Sequence, residues 1–243
     1  MTPEQLVKTA CPVIGSVGSG FYFIPETLAV GKEHGLGGFQ WYVLGRGGVL
    51  GDVEAPVVEA AFGYFAPALV GKLWNASKAI MAPREAGHRY HQCAADLGRA
   101  KFSAIPNLGA YCEAAEAVVA AAQPAGLSLF AGIAAEPLAD DLPGRAMQLT
   151  AVLREFRGSA HLVAVIASGL TAKEAHHLRR PNDWKTFGYD EDDRPAVTPE
   201  GQAKLDAAEA LTDQLVLSAY SAVDESGAQA LADGVSAMQA ALS

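Results

Sequence analysis

Two stretches decide the fold of this chain: residues 169–175 read GLTAKEA, and residues 189–201 read YDEDDRPAVTPEG. In the first, Thr171 stands three residues before Glu174, which is the pattern of a capping box at a helix start. In the second, Thr198 followed by Pro199 predicts another helix start, with a hydroxyl cap and a proline in the first helical position. Two helix starts therefore flank a short acidic segment.

The order of these features resembles the winged helix-turn-helix of MarR-type regulators, in which an acidic wing precedes the second of these helix starts. The resemblance implies a DNA-reading recognition helix of roughly four turns between the two stretches. Too few residues lie between Ala175 and Tyr189 for that helix and the first strand of the wing, since a helix rises only about 1.5 Å per residue. We therefore expect a short β-hairpin over residues 184–197 and a module that lacks its recognition helix.

Further blocks of sequence resemble actinobacterial SalK-like proteins. Residues 42–53 read YVLGRGGVLGDV, with VVEAAF at 57–62 and FAP at 65–67, and residues 153–161 read LREFRGSAH. Ser159 stands where the pattern of that family usually has Asp. The resemblance touches most of the chain from Phe21 to Ala222 and implies a mainly α-helical protein with two fused winged helix-turn-helix-like halves. It brings no established chemistry with it.

The acidic, proline-containing segment 136–144 is the best candidate for a domain boundary. We predict an N-terminal degenerate winged-helix half over residues 1–135 and a C-terminal half over residues 145–243 with a shortened recognition region. Residues 51–58 align with residues 158–165 as a weak internal repeat. The two halves are therefore expected to pack as a pseudo-dimer within one chain.

Composition narrows the classes of function. The 243 residues are 50% hydrophobic, which argues against disorder, and their formal net charge of −9 opposes binding to phosphate backbones. Cys11, Cys93 and Cys112 form no CxxC pair and fit a reducing compartment. With no secretory signal and no apolar stretch that spans a bilayer, we predict a cytoplasmic protein, monomeric or homodimeric, with no membrane or nucleic-acid partner.

The first candidate site lies on a long helix predicted over residues 146–168. Arg154, Arg157 and His161 share one face of that helix, so two guanidiniums and an imidazole face one anion, and the imidazole is a candidate general base. Glu54 aligns with His161 in the weak repeat and is the second candidate catalytic residue. The alternative is structural, with the arginines paired to acids such as Glu155 and His161 in a buried polar contact.

The predicted ligand is a small organic molecule bound between the two halves, with no cofactor. Arg46 is the basic group of the first half, and we expect it to hold an acidic or phenolic group of the ligand together with Arg157 and His161. Three aromatic residues are expected to pack on the body of the ligand: Tyr22, Trp41 and Tyr42. The alternative is that these aromatics pack in an ordinary core.

A DNA-binding regulator is the rival prediction. In that model Arg194 lies at the wing tip and enters the minor groove, while Arg179 and Arg180 form the local basic cluster. A patch of this size is small for contact with DNA.

The histidines carry no metal-site pattern. His88 and His91 have helical spacing but lack the glutamate and third ligand of the known zinc helices, so we predict no metal and a solvated helix face. His176 and His177 are adjacent, diverge on a helix, and are interpreted as surface residues.

Overall fold

The computed structural model describes all 243 residues as an α-helical protein without a β-strand. Its helices are α1 Pro3–Gly18, α2 Pro25–Glu33, α3 Gly38–Gly48, α4 Ala55–Phe62, α5 Pro67–Lys78, α6 Pro83–Lys101, α7 Leu108–Ala121, α8 Ser128–Ala134, α9 Leu142–Ala167, α10 Ala172–Arg179, α11 Pro199–Tyr220 and α12 Glu225–Leu242. Two single 3-10 turns lie between α10 and α11. None of the helices is both long enough and apolar enough to cross a membrane.

Both helix starts that decided the sequence prediction are correct. The Thr171 hydroxyl accepts the Glu174 N–H at 3.2 Å, and the Glu174 carboxylate accepts the Thr171 N–H at 2.8 Å, which completes the capping box of α10. The Thr198 hydroxyl accepts the Gly201 N–H at 3.0 Å at the start of α11. Local cap chemistry therefore fixes where these two helices begin.

The β-hairpin predicted over residues 184–197 is wrong. Residues 181–194, here called the 181–194 loop, form 3-10 turns over Pro181–Asp183 and Glu191–Asp193, with a turn at Gly188 whose φ of +88° suits glycine. Trp184 is fully buried, and its Nε1–H donates to the Asp190 carbonyl at 2.7 Å. The loop thus folds around its own tryptophan, and the chain between α10 and α11 forms only these 3-10 turns.

Helix α9 runs through the centre of the molecule. It packs against α1, α6, α7, α8 and α11, and residues 146–156 bury side chains on nearly every face, whereas the last turns expose one face that includes Val163 and Ile166. The Asp141 side chain caps its start by accepting the Gly144 N–H at 2.8 Å, and Gly169, with a φ of +75°, follows its end. A helical stretch that is buried on nearly every face belongs to the core, so this part of α9 positions its neighbours.

One hydrophobic core of 51 buried residues runs from Leu6 to Met238 and takes side chains from both sides of the 136–144 segment. A second, smaller cluster of six residues lies under α10: Ala164, Val165, Leu170, Ala175, Leu205 and Ala208. The two predicted halves therefore share the main core, and the division into residues 1–135 and 145–243 stays a prediction.

Helices α4 and α5 form a compact pair in the first half. They pack on each other across a four-residue turn, residues 63–66, that starts at Gly63 with a φ of +62°. The solvent face of α5 carries Lys72 and Asn75. In the second half, α10 follows α9 as α4 follows α3. The 181–194 loop then occupies the place in the chain that α5 has in the first half.

Candidate functional site

A buried charge cluster joins α3 to α9 around the Glu155 carboxylate, which is 2% exposed. Arg46 binds it in a bidentate manner, from Nε to Oε1 at 2.8 Å and from Nη2 to Oε2 at 2.9 Å. Arg154 and the Tyr22 hydroxyl also donate to Oε1, at 2.7 and 2.9 Å. Burial alone raises the pKa of Glu155, but the two guanidiniums outweigh it and lower that pKa to about 2.

Protein atoms fill the space in which the ligand was expected beside this cluster. The remaining cavity is about 20 Å³, enough for roughly one water molecule. Tyr22 packs edge-on against Tyr42, with ring centroids 5.3 Å apart. Trp41 is fully buried against Gly31, where a Cβ atom would lie 2.6 Å from the indole ring. The aromatic residues therefore pack as core, which was the alternative interpretation.

A second charge cluster joins α9 to α11. Arg157 Nη2 donates to Glu209 Oε2 and to Asp213 Oδ1, both at 3.0 Å. His161 Nδ1 lies 2.9 Å from the Thr212 hydroxyl, on the same side of α9. These contacts pair the arginine with acids and place the histidine in a buried polar contact, as the structural alternative predicted.

The tautomer of His161 follows from its neighbours. The Thr212 hydroxyl donates to the Ala208 carbonyl at 2.7 Å, so it accepts from Nδ1–H of the histidine. Nε2 is left to accept from Arg179 Nη1 at 3.3 Å. Burial, aided by the Arg179 and Arg157 guanidiniums, lowers the pKa of His161 to about 4. The imidazole is therefore neutral at pH 7, with both nitrogens engaged by protein groups.

The predicted site residues do not meet at one place. Arg46 lies in the first cluster, whereas Arg157 and His161 belong to the second. Glu54 is exposed at the start of α4 and forms no hydrogen bond or ion pair with His161. The physical reason is helical: the chain turns about 100° per residue, so Glu155 and Arg157 point to opposite sides of α9.

Three histidines interpreted as solvent-facing are buried instead. His91 is 2% exposed, and neither of its ring nitrogens has a hydrogen-bond partner in the protein. His176 and His177 are 3% and 6% exposed. His176 stacks on Trp184 of the 181–194 loop, and His177 meets the same indole edge-on. No group of three or more His, Cys, Asp or Glu side chains has the geometry to hold a metal ion.

A groove of about 580 Å³, here called the end groove, lies at the ends of four helices. Sequence reasoning missed it because its walls come from segments far apart in the chain. It is lined by Ser16, Val17, Gly20, Ile24, Pro25, Glu26, Thr27, Val30, Cys93, Asp96, Leu97, Ala100, Lys101, Gln239, Leu242 and Ser243. Its volume and mixed lining are typical of small-molecule sites.

Thr27 gives the end groove a buried polar group. It is 1% exposed, and its hydroxyl bonds to no oxygen or nitrogen atom of the protein; its one polar neighbour is the Cys93 thiol, a weak hydrogen-bonding group. Cys93 lies beside it, and burial raises the pKa of that thiol to about 11, so the sulfur is uncharged at pH 7. A buried hydroxyl without a partner costs about 1–3 kcal/mol, which a ligand that bonds to it offsets.

The basic residues of the DNA-binding model are mostly engaged within the protein. Arg194 pairs with Glu191 and donates to the Pro181 carbonyl at 3.0 Å, and Arg179 pairs with Glu209. Arg180 is exposed and forms no ion pair.

The 181–194 loop also packs on the α4–α5 pair. The Phe187 carbonyl accepts the Ala66 N–H at 2.8 Å, and the rings of Phe187 and Phe65 stack with centroids 4.1 Å apart. The 181–194 loop is thus docked against the start of α5.

A family model described as a helix-turn-helix family matches residues 7–243, which is nearly the whole chain. The chain belongs to this helix-turn-helix family. Comparison with curated proteins and with solved structures found no match. Within this family member, α4 and α5 have the form of the motif itself, two helices joined by a short turn that contains glycine.

Proposed function

We propose that this helix-turn-helix family protein binds a small organic molecule in the end groove, on a scaffold that no longer reads DNA. The observation that carries the proposal is a groove of about 580 Å³ with an unpartnered, buried Thr27 hydroxyl in its wall. Ligand sites are typically clefts of about 300–1,000 Å³ with a mainly apolar lining and a few polar groups. The groove lies where α12 of the second half meets α1, α2 and α6 of the first.

The loss of DNA reading is supported by the 181–194 loop. Regulators with two DNA-binding modules place their recognition helices about 34 Å apart, which is one turn of the duplex. Here Phe187 of the second module touches Phe65 of the first, so the two modules are in contact and only one contains a second helix. Such an arrangement does not span successive major grooves.

The proposed pseudo-dimer is supported by helix order. In the first half α3 packs on α4 and α6, and in the second half α9 packs on α10 and α11. The following helices, α7 and α12, pack on each other. The cluster around Glu155 joins α3 of the first half to α9 of the second, and the cluster around Arg157 joins α9 to α11 within the second half, so each fixes the packing of two helices. We assign Arg46, Arg157 and His161 to that structural role.

Nile red, an uncharged dye whose fluorescence rises in apolar sites, tests the proposal. We expect saturable binding to the protein and its loss in the variant Ala100→Trp, because residue 100 lines the end groove and an indole fills it. Ala240→Trp is the matched control, since Ala240 is exposed on α12 and does not line the groove. Equal dye binding by both variants, or no saturable binding by the parent protein, would refute the assignment of the site.

DNA binding is the second candidate function, favoured by the intact α4–α5 pair. Lys72 and Asn75 lie on the solvent face of α5, and side chains of these types contact phosphates and base edges. A salt-titrated assay on mixed duplex DNA separates the two functions. We expect no specific binding tighter than about 1 µM at physiological salt, where specific regulators bind at about 10⁻⁸–10⁻¹¹ M. Tight binding that is lost in Lys72→Ala would favour the regulator instead.

A further inference from the structure

We infer that the end groove selects a cationic amphipathic molecule, an apolar body that carries a protonated amine. The inference rests on the proposed ligand-binding function and adds the chemical class of the ligand. It follows from the helix ends, the charged side chains and the buried hydroxyl that line the groove.

Three helices end at the groove and one begins there. The last turns of α1, α6 and α12 contribute Val17, Lys101 and Leu242 to its wall, whereas α2 contributes its first turn. The C-terminus of a helix carries about half a negative charge, and the N-terminus carries about half a positive charge. The backbone alone therefore gives the groove a negative potential.

The charged side chains of the lining leave that potential negative. Glu26 lies in the first turn of α2, forms no ion pair, and outweighs the partial positive charge of that helix end. Asp96 is balanced only in part, because Arg99, 2.9 Å away, also binds Asp141 at 2.7 Å. Lys101 is the one cation of the lining and lies at the C-terminus of α6, whose partial negative charge it complements. The end of α1, together with Glu26 and the partly balanced Asp96, leaves the lining with a net negative charge.

The apolar lining and Thr27 indicate which chemical groups the ligand carries. Val17, Ile24, Val30 and Leu97 offer an aliphatic surface to the body of the molecule. An ammonium group donates hydrogen bonds and accepts none, and a hydroxyl has two lone pairs to receive them. The unpartnered Thr27 hydroxyl is therefore suited to an amine and does not oppose its charge.

Three probes with the same body test the charge preference: 4-phenylbutylamine, 4-phenylbutanol and 4-phenylbutyrate. By isothermal titration at pH 7 and low salt, we expect the amine to bind at least tenfold tighter than the carboxylate, with the alcohol between them. Added salt should weaken binding of the amine, because it screens the attraction between the ammonium group and the negative groove. The variant Glu26→Gln should reduce the preference, whereas Glu33→Gln, an exposed position on α2 outside the groove, should leave it unchanged.

The outcomes separate this inference from the proposed function. If the three probes bind the parent protein with equal affinity and Ala100→Trp abolishes this binding, the charge preference is overturned and the ligand site stands. Tighter binding of the carboxylate also overturns it. An amine preference that survives Ala100→Trp overturns the location, and failure of the amine and of Nile red to bind overturns both proposals.

Discussion

At the scale of single residues, three donors converge on the Glu155 carboxylate: Arg46 from α3, Arg154 from α9 and the Tyr22 hydroxyl from the segment before α2. A carboxylate that is 2% exposed is stable only because these partners replace its hydration. When one partner of a buried ion pair is removed, the charge that remains buried has no counter-charge. The resulting loss of stability is larger than the net contribution of the pair itself.

We predict that Glu155→Gln lowers the free energy of unfolding by about 3–5 kcal/mol at pH 7, because Arg46 and Arg154 then lose their counter-charge. Urea denaturation followed by circular dichroism measures the loss. Glu225→Gln is the control: its carboxylate is 89% exposed, and removal of an exposed pair changes stability by about 0–1 kcal/mol. Similar stability of the two variants would contradict the role of the cluster.

Acid should remove the same contribution from the parent protein. The pKa of Glu155 is about 2 in the folded protein, below its ordinary value of 4.5. A group whose folded pKa is lowered stabilises the fold fully above the unfolded value, and this contribution is lost as pH falls from about 4.5 towards 2. The stability difference between the parent and Glu155→Gln should therefore shrink over that window. A constant difference would show that the carboxylate is not held ionised by its neighbours.

At the scale of elements, the 181–194 loop is the part of the chain that departs most from its expected form. The acidic tip and its flanking residues suggested paired strands, but a buried Trp184 organises the segment instead. Tyr189 stacks on the indole with centroids 4.4 Å apart, and His177 meets it edge-on at 5.1 Å. Burial of one large aromatic side chain outweighs the weak preference of a short polar hairpin.

We predict that Trp184→Ala opens this loop without unfolding the molecule. Trp184 lies outside the main core. Truncation of a buried aromatic side chain costs about 3–5 kcal/mol of stability, and here we expect the 181–194 loop to bear most of that loss. Limited trypsin digestion with mass spectrometry should show cleavage after Lys185 in the variant and slower cleavage in the parent; Arg180 and Arg194 precede prolines and are not tryptic sites.

Trp74→Ala is the matched comparison. Trp74 is equally buried, and its Nε1–H donates to the Val53 carbonyl at 3.0 Å, but it belongs to the main core. We expect this variant to lose stability throughout the chain, with cleavage at many sites. Cleavage of Trp184→Ala at many sites as well would mean that the loop is integral to the core.

At the scale of the whole molecule, one core serves both predicted halves. Helix α1 of the first half packs on α9, α11 and α12 of the second, and α6 packs along α9. An interface of this kind is continuous with the interior of each half, so the halves share the main core, and only the small cluster under α10 belongs to one half alone. The pseudo-dimer proposed above would then be a dimer in topology but a single unit in folding.

We predict a single cooperative unfolding transition. All three tryptophans are fully buried, Trp41 and Trp74 in the first half and Trp184 in the second, so their fluorescence reports on both. Urea curves from fluorescence and from circular dichroism should coincide, and the calorimetric and van't Hoff enthalpies should agree. Two resolved transitions would instead support two domains that fold independently, with a boundary near residues 136–144.

Local signals in the sequence predicted the part of the fold that depends on local chemistry. The helix starts at Thr171 and Thr198 were correct because a cap involves residues only three apart. Too few residues separate the two stretches for a long helix, and the chain between α10 and α11 forms only 3-10 turns. The buried faces of His91 and His176 were missed, since a single helix does not show which of its sides meets a neighbour.

Residue patterns alone were enough to predict a mainly helical chain of the helix-turn-helix class and the places where two decisive helices begin. Only the tertiary structure decided that Arg46 and Arg157 serve different clusters, that the aromatic residues pack as core, and that the ends of four helices leave a groove. Caps and lengths are short-range properties of the chain. Cavities and ion pairs join residues more than a hundred positions apart, and packing alone brings those together.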